Sequence, residues 1–313
     1  MSTAFVFPGQ GSQSVGMGKA LADAYPSARA VFDEVDEALG EPFSKIIWEG
    51  PEETLTLTQN AQPALMAVSL AVTRALQSEG VDLGTVAHYV AGHSLGEYSA
   101  LAAAGALELS DTARLLRTRG RAMQAAVPVG EGAMAALLGL DYEDAIAVAT
   151  EAAGDEVCQA ANDNANGQVV VSGSVAAVER AREIAVAKGA MKAVLLPVSA
   201  PFHCALMAPA ADVMREALAA VRISEPVVPV VANVVAGPVS DPDEIRRRLV
   251  EQVTGTVRWR ESVLWMAGQG VDQLKEIGAG KVLTGLTRRI DRSVKGAAIG
   301  TPEDVAAFAA SLS

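Results

Sequence analysis

The apolar run Val86-Ala87-His88-Tyr89-Val90-Ala91 is followed at once by Gly92-His93-Ser94-Leu95-Gly96 and then by Glu97-Tyr98-Ser99-Ala100-Leu101. That order reads as a strand, a sharp turn on small residues, and a helix. A G-x-S-x-G turn in this setting holds its serine in a strained backbone position, with the hydroxyl clear of the chain. Gly92 and Gly96 leave room for the strand and helix to pack closely. The helix then aims its first N–H groups at the spot where an oxyanion would develop. The same five residues can also be an ordinary glycine-rich loop. Here the flanking strand and helix favour a nucleophile at Ser94 within an α/β fold.

A nucleophilic serine needs a base, and the chain has three histidines, His88, His93 and His203. His88 lies within the strand. His93 is the chain neighbour of Ser94, and neighbours on a sharp turn point apart; its place is beside the site, in reach of a substrate rather than of the Oγ proton. That leaves His203, in Val198-Ser199-Ala200-Pro201-Phe202-His203-Cys204. An elbow serine followed far downstream by its histidine is the order of α/β-hydrolase-type sites. No single Asp or Glu stands out as the group that orients the imidazole. A backbone carbonyl or an amide side chain can serve instead.

Composition narrows the class. A chain of 313 residues buries a substantial core, as one large domain or a large domain with an insert. Its opening residues lack a basic stretch and a signal-type apolar run. No apolar run reaches the ~18 residues of a membrane span, since Pro63 to Leu76 is interrupted by Ser69, Thr73 and Arg74. The expectation is a cytoplasmic protein that neither spans a membrane nor is secreted. Cys158 and Cys204 have no metal or redox spacing and read as buried free thiols. A net charge of −12 argues against nucleic acid as partner.

Two glycine-rich segments resemble phosphate loops but lack the key residues. Phe7-Pro8-Gly9-Gln10-Gly11-Ser12-Gln13-Ser14 follows a strand, yet carries Ser14 where a third glycine belongs. Gly278-Ala279-Gly280-Lys281-Val282 lacks the first glycine and the Ser/Thr of a P-loop. No nucleotide cofactor is expected. Pro8-Gly9-Gln10-Gly11 reads better as a tight loop at the carboxyl end of the strand Ala4 to Phe7. Such loops crowd the same sheet edge as the elbow, where this one can present a backbone N–H to Ser94.

Three segments follow from the periodicity. Residues 1 to 127 hold the first strand, a helix from Pro63 to Gln77, the elbow, and a helix from Thr112 to Ala126. Residues 131 to 197 read strand (Ala133–Gly139), helix (Tyr142–Ala153), strand (Val157–Ala161), strand (Gln168–Ser172), helix (Val175–Lys188), strand (Ala193–Val198). That β-α-β-β-α-β order is a ferredoxin-like unit. Strands such as Val227 to Val231 and Asp272 to Ile277 alternate with helices thereafter. The architecture expected is an α/β-hydrolase-like large subdomain, residues 1–127 and 199–313, with an inserted ferredoxin-like small subdomain, residues 128–198. Ser94 and His203 would meet at the join, in a cleft of the kind that favours ligands.

The helix Thr112 to Ala126 carries a misplaced charge. At about 100° per residue, Leu115, Leu116 and Met123 share one face. Arg114, Arg117 and Arg121 cluster opposite, as solvated arginines should. Arg119 falls instead between Leu115 and Leu116, in the middle of the apolar face. A buried guanidinium needs a partner. Either a core carboxylate supplies it, or a ligand carboxylate does, gripped by the planar fork.

Phe7-Pro8-Gly9-Gln10-Gly11-Ser12-Gln13, Gly92-His93-Ser94-Leu95-Gly96-Glu97-Tyr98, Arg117-Thr118-Arg119-Gly120, Asn162-Asp163-Asn164, Pro201-Phe202-His203 and Gly278-Ala279-Gly280-Lys281-Val282-Leu283 occur here in that order. With them the chain resembles, over nearly its whole length, the bacterial malonyl-CoA:acyl carrier protein transacylases of type II fatty-acid synthesis. The resemblance implies a ping-pong acyl transfer. Ser94 attacks malonyl-CoA with His203 as base, CoA leaves, and the pantetheine thiol of acyl carrier protein takes the malonyl group. It also implies an oxyanion hole from the backbone amides of Gln10 and Leu95, a grip on the malonyl carboxylate by Arg119, and orientation of His203 by the backbone carbonyl of Gln252. His93 and Phe202 would contact substrate. The partners implied are malonyl-CoA and acyl carrier protein, with no cofactor, no metal and a monomeric chain.

Some positions depart from the family's commoner pattern. Phe202 stands where many bacterial members have serine, although malonyl-loading polyketide synthase domains often have Phe there. Thr256 replaces a usual proline near Gln252, and Met191 replaces a base beside Lys192. Because this chain and acyl carrier proteins are both acidic, docking should rest on a local basic patch. Two other classes share parts of this chemistry. A serine hydrolase uses the same groups and admits water to the acyl-enzyme, and an inactive carrier-binding module would need none of them.

Overall fold

In the computed structural model, residues 2–312 are described and form two sheets. The strands are β1 (Thr3–Phe7), β2 (Ala87–Gly92), β3 (Gly132–Leu138), β4 (Cys158–Ala165), β5 (Gln168–Ser174), β6 (Lys192–Leu195), β7 (Val230–Ala232), β8 (Gly237–Val239), β9 (Gln273–Ile277) and β10 (Lys295–Ile299). The larger sheet runs β10-β9-β1-β2-β7-β8, parallel except for β8. Every residue of β1 is buried, as a central parallel strand covered on both faces requires. β1 and β2 pair in register up to Phe7 opposite Gly92. The Pro8–Gly11 loop and the Gly92–Gly96 elbow therefore leave the sheet side by side.

The smaller sheet is antiparallel, in the order β4-β5-β3-β6. Helices Tyr142–Ala153 and Val175–Ala187 join its strands into the β-α-β-β-α-β unit. Leu137, Val148, Val169, Val171 and Val178 form a core of its own. The chain is thus a two-subdomain α/β fold, hydrolase-like in its large part and ferredoxin-like in its small part.

Several element boundaries differ from the periodicity, each for a local reason. β4 extends through Asn162-Asp163-Asn164 to Ala165 instead of stopping at Ala161. These polar residues look like turn formers, but the large subdomain satisfies them. Asp163 N–H donates to the Val257 carbonyl at 2.9 Å, and the buried Asp163 carboxylate receives Arg260 Nε at 3.0 Å on both oxygens. The helix expected from Pro63 begins at Thr58 and runs to Ser78. Its first turns are polar yet buried, with Asn60 Nδ2 donating to the Thr54 carbonyl at 2.8 Å, so hydrophobic periodicity does not reveal them. β6 ends at Leu195, before Pro197, and β7 starts after Pro229, as proline's missing N–H favours.

The arginine-rich helix spans Leu109–Ala125. Arg117, expected to be solvated, is buried. It pairs with Glu41, donates to Asn60 Oδ1 at 2.7 Å, and lies 4.7 Å over the Phe43 ring. A second helix, Phe43–Glu49, covers the face that the one-sided pattern assigned to water. Beside Arg119, Gly120 meets the Thr58–Ser78 helix so closely that an added Cβ would lie 2.5 Å from Gln59 Cα. Backbone cannot yield that distance by a rotamer change. Gly120→Ala is expected to cost about 1–3 kcal/mol by overpacking. Chemical denaturation checks this, and an unchanged midpoint would contradict so tight a contact.

No described helix is long and apolar enough to cross a membrane. Cys158 and Cys204 are both buried free thiols.

Candidate active site

Strand β2 delivers the chain into a turn where Ser94 takes φ 54°, a left-handed conformation that costs a non-glycine residue about 1 kcal/mol or more. The helix Gly96–Ala103 starts two residues later. A Cβ on Gly92 would lie 1.9 Å from the Gly96 carbonyl, and one on Gly96 would lie 2.3 Å from the Phe7 carbonyl oxygen. Both positions exclude any larger residue. The elbow is thereby pressed against the end of β1, where His93 N–H donates to the Phe7 carbonyl at 3.0 Å.

His203 comes from a loop beyond the small sheet and also has positive φ, 58°. Its Nε2 lies 2.8 Å from Ser94 Oγ, and its Nδ1–H donates to the Gln252 carbonyl at 2.9 Å. That carbonyl fixes the tautomer with Nε2 as acceptor. Burial, and secondarily the Arg119 cation, push the His203 pKa down to about 3. At neutral pH the imidazole is uncharged and its lone pair faces the serine hydroxyl.

Arg119 is 1% exposed. Its Nη1 donates to Gln62 Oε1 at 2.8 Å, while Nη2 donates to Gln252 Oε1 at 2.8 Å and to Ser94 Oγ at 3.1 Å. Its carbon stands 5.6 Å over the Tyr98 ring, and its Nε has no partner. Among the described residues no carboxylate forms an ion pair with it, so the first of the two partners open to it in the sequence is not supplied. Burial lowers its pKa, but a guanidinium stays protonated at neutral pH.

The remaining candidates sit around the same point. Gln10, His93, Leu95 and Phe202 all line a cavity of about 360 Å³ together with Ser94, Arg119 and His203. Met134, Asn162, Val170 and Leu196 line it from the small subdomain. The backbone N–H groups of Gln10 and Leu95 donate to no acceptor among the described residues, whereas those of Ser94 and Gly96 are occupied by Asn233 and His93. His93 Nε2 contacts Asn164 Oδ1 at 2.8 Å, and its ring tilts against Trp259 at 5.8 Å. It makes no hydrogen bond to Ser94 Oγ. Burial holds its pKa below the usual histidine range. His88 lies exposed in β2, away from the cavity. The Gly278–Gly280 turn backs the loop of Gln10, meeting Pro8 and Ser12.

Three residues of the site went unnoticed in the sequence. Asn233, just beyond β7, accepts from Ser94 N–H at 2.8 Å and donates to the Gly92 carbonyl at 2.6 Å. The side chain of Glu97 accepts from Asn233 N–H at 3.0 Å and from Gln252 Nε2 at 2.8 Å, both on Oε2. Gln62 anchors Arg119. A polar residue at the carboxyl end of a parallel strand was the available signal for Asn233. For Glu97, it was an acid at the head of the mostly apolar segment Tyr98 to Ala104.

A serine and a neutral histidine within hydrogen-bond reach, two unoccupied N–H groups and a buried cation, gathered on an α/β scaffold, are the groups that acyl transfer calls for. Residues 4–298 match the model of the acyl transferase domain, and the chain belongs to that family. The malonyl CoA-acyl carrier protein transacylase of Escherichia coli strain K12 is 47% identical over 304 residues, covering 97% of each chain. The crystal structure of the acyl-carrier-protein-S-malonyltransferase from Bartonella henselae is 57% identical and superposes with a TM-score of 0.98 over 100% of this chain and 99% of its own. Another similar structure shows a type II PKS acyl-carrier protein in complex with its malonyl-transacylase, at 42% identity and a TM-score of 0.96, over 99% of this chain and 100% of that one.

Proposed function

We propose that this chain transfers the malonyl group of malonyl-CoA to the pantetheine thiol of acyl carrier protein through a malonyl ester on Ser94, supplying fatty-acid synthesis. The observation that carries this reading is Arg119, buried, charged and unpaired within 3.1 Å of Ser94 Oγ. A ligand carboxylate held there by the guanidinium fork sets its thioester carbon beside the nucleophile.

The steps follow from the geometry. His203 Nε2 takes the Ser94 proton as Oγ bonds to the thioester carbon, and the carbonyl oxygen becomes an oxyanion. The amides of Gln10 and Leu95 are free to receive it. Collapse breaks the carbon–sulfur bond, and the proton on His203 goes to the departing CoA sulfur. In the second half the carrier thiol gives its proton to His203 and attacks the ester, and Ser94 recovers its proton as it leaves. The Gln252 carbonyl does the orienting work that a carboxylate does in a Ser-His-Asp triad. This reading carries with it a monomeric chain working in the cytoplasm, with the small subdomain as the inserted unit 128–198.

A serine hydrolase would use the same dyad; the family and the similarity to transacylases favour transfer. The deciding experiment loads the protein with malonyl-CoA, follows the malonyl-serine ester, and then adds pantetheinylated carrier protein. A long-lived ester discharged by the thiol is the expected result. Rapid loss to water would mean a hydrolase, and no ester a non-catalytic module.

Selectivity for malonyl over methylmalonyl is expected as well. Leu95 and Phe202, each next to a dyad residue, wall the cavity and are 1% and 8% exposed. A clash against packed apolar walls discriminates by more than the ~1–3 kcal/mol of an unfilled methyl site. Phe202→Ser should narrow the preference. Competition between the two thioesters, as a ratio of kcat/KM, measures it, and near-equal wild-type values would remove the pocket argument.

A further inference from the structure

Arg119 has no ion-pair partner among the described residues, yet a carboxylate lies one side chain away. Gln252 stands between them, its Oε1 accepting from Arg119 Nη2 and its Nε2 donating to Glu97 Oε2, each at 2.8 Å. The same Nε2 reaches the Ser94 carbonyl at 3.0 Å. Glu97 is 2% exposed and makes no ion pair among the described residues. A direct Arg–Glu pair would fill the guanidinium fork and close it to a ligand. An Arg119 with no counter-charge at all would be costly in the empty site and would bind a carboxylate too tightly to release it. The amide spacer avoids both.

We propose that Glu97 is a positioning residue whose negative charge, held off Arg119 by the Gln252 amide, tempers the grip of Arg119 on the substrate carboxylate so that the malonyl product can leave. The inference rests on the reading of Arg119 as the carboxylate-binding residue. When the ligand carboxylate arrives it neutralises Arg119, and the charge on Glu97 becomes surplus in a buried place. Glu97 then takes up a proton, and it gives it back on release.

The surroundings single out Glu97 for that exchange. The titratable groups facing it are Arg119 and Tyr98; its other contacts, Asn233 N–H and Gln252 Nε2, are neutral. Burial raises Tyr98 to about 12, and His203 lies at about 3, so both stay neutral through the working range. Burial raises Glu97 to about 7, where pairing of Arg119 with a ligand carboxylate shifts its protonation.

Glu97→Gln isolates the charge. The amide oxygen of the new side chain can take the place of Oε2 and accept from both Asn233 and Gln252, so the hydrogen bonds persist. The measurement is equilibrium binding of malonyl-CoA and of acetyl-CoA to Ser94→Ala protein at pH 8, with and without Glu97→Gln. The expected result is a malonyl-over-acetyl preference raised about tenfold by Glu97→Gln, with acetyl-CoA binding unchanged. With Ser94 intact, KM for malonyl-CoA and kcat should both fall. A preference that is unchanged or lower in Glu97→Gln overturns the proposal, since a merely structural glutamate would weaken both ligands together. Should Ser94→Ala alone show no preference for malonyl-CoA, the reading of Arg119 fails instead. If Glu97→Gln does not fold, calorimetry of Ser94→Ala protein in buffers of different ionisation enthalpy decides. Binding of malonyl-CoA must draw protons onto the protein that binding of acetyl-CoA does not, and equal uptake overturns the proposal.

Discussion

Ser94→Ala is expected to abolish covalent labelling by malonyl-CoA, and His203→Ala to slow acylation by about four to six orders of magnitude. The hydroxyl is a weak nucleophile at its own pKa, and only the 2.8 Å bond to a neutral imidazole relieves that. Because burial holds His203 near 3, the base stays unprotonated well below neutrality. The acid limb of acetyl-CoA turnover, which does not involve the carboxylate grip, should therefore lie below about pH 5. Alanine at position 94 meets the same backbone strain as serine, so thermal unfolding should be nearly unchanged. A malonyl-enzyme that still accumulates in Ser94→Ala would show the site to be misassigned. His93 substitutions should leave proton transfer intact and weaken substrate positioning, since His93 contacts Asn164 and not Oγ.

Arg119→Ala should separate the two acyl groups. Acetyl has no carboxylate to pair, so its transfer should persist or rise, while malonyl transfer loses the about 3–5 kcal/mol of a buried charge pair, well over a hundredfold. The geometry sharpens this expectation. Gln62 and Gln252 hold the guanidinium through neutral oxygens, so removing it breaks no ion pair within the protein. The variant does leave two buried amide oxygens short of a donor, which costs about 1–3 kcal/mol each unless water enters. An unfolding measurement is needed beside the kinetics. Parallel loss of acetyl and malonyl transfer would make Arg119 a structural residue and remove the main support for carboxylate recognition.

What could be read from the sequence was local. The elbow announces itself because strand, glycine, serine, glycine and helix are contiguous, and the small subdomain because its six elements follow one another with clear periodicity. Arg119 could be picked out as misplaced, since a charge among Leu115, Leu116 and Met123 violates the helix pattern. Arg117 was misjudged for the opposite reason. Its burial depends on the Phe43–Glu49 helix, which folds over it from about seventy residues away, and no periodicity within its own helix records that. The role of Gln252 is a backbone carbonyl, which every residue type has, so only the family resemblance pointed to it. Asn233 and Glu97 join a network spanning residues 92 to 252 that exists only once β2 and β7 lie side by side.

Ser94 and His203 both stand at φ values that side-chain-bearing residues rarely adopt, on segments 109 residues apart. Each position would be more comfortable with glycine or asparagine, by roughly 1 kcal/mol of backbone energy less whatever glycine adds to the unfolded chain's entropy. Evolution in a test tube for heat resistance alone should therefore favour replacements at Ser94 and His203 that end catalysis, as freely as one at Ala236, which shares the positive φ and has no part in the dyad. A library screened for residual fold after heating, with no activity gate, would enrich them; one gated on turnover would keep both residues and seek its gains elsewhere. The protein's most robust descendants and its active ones would part company at these two codons.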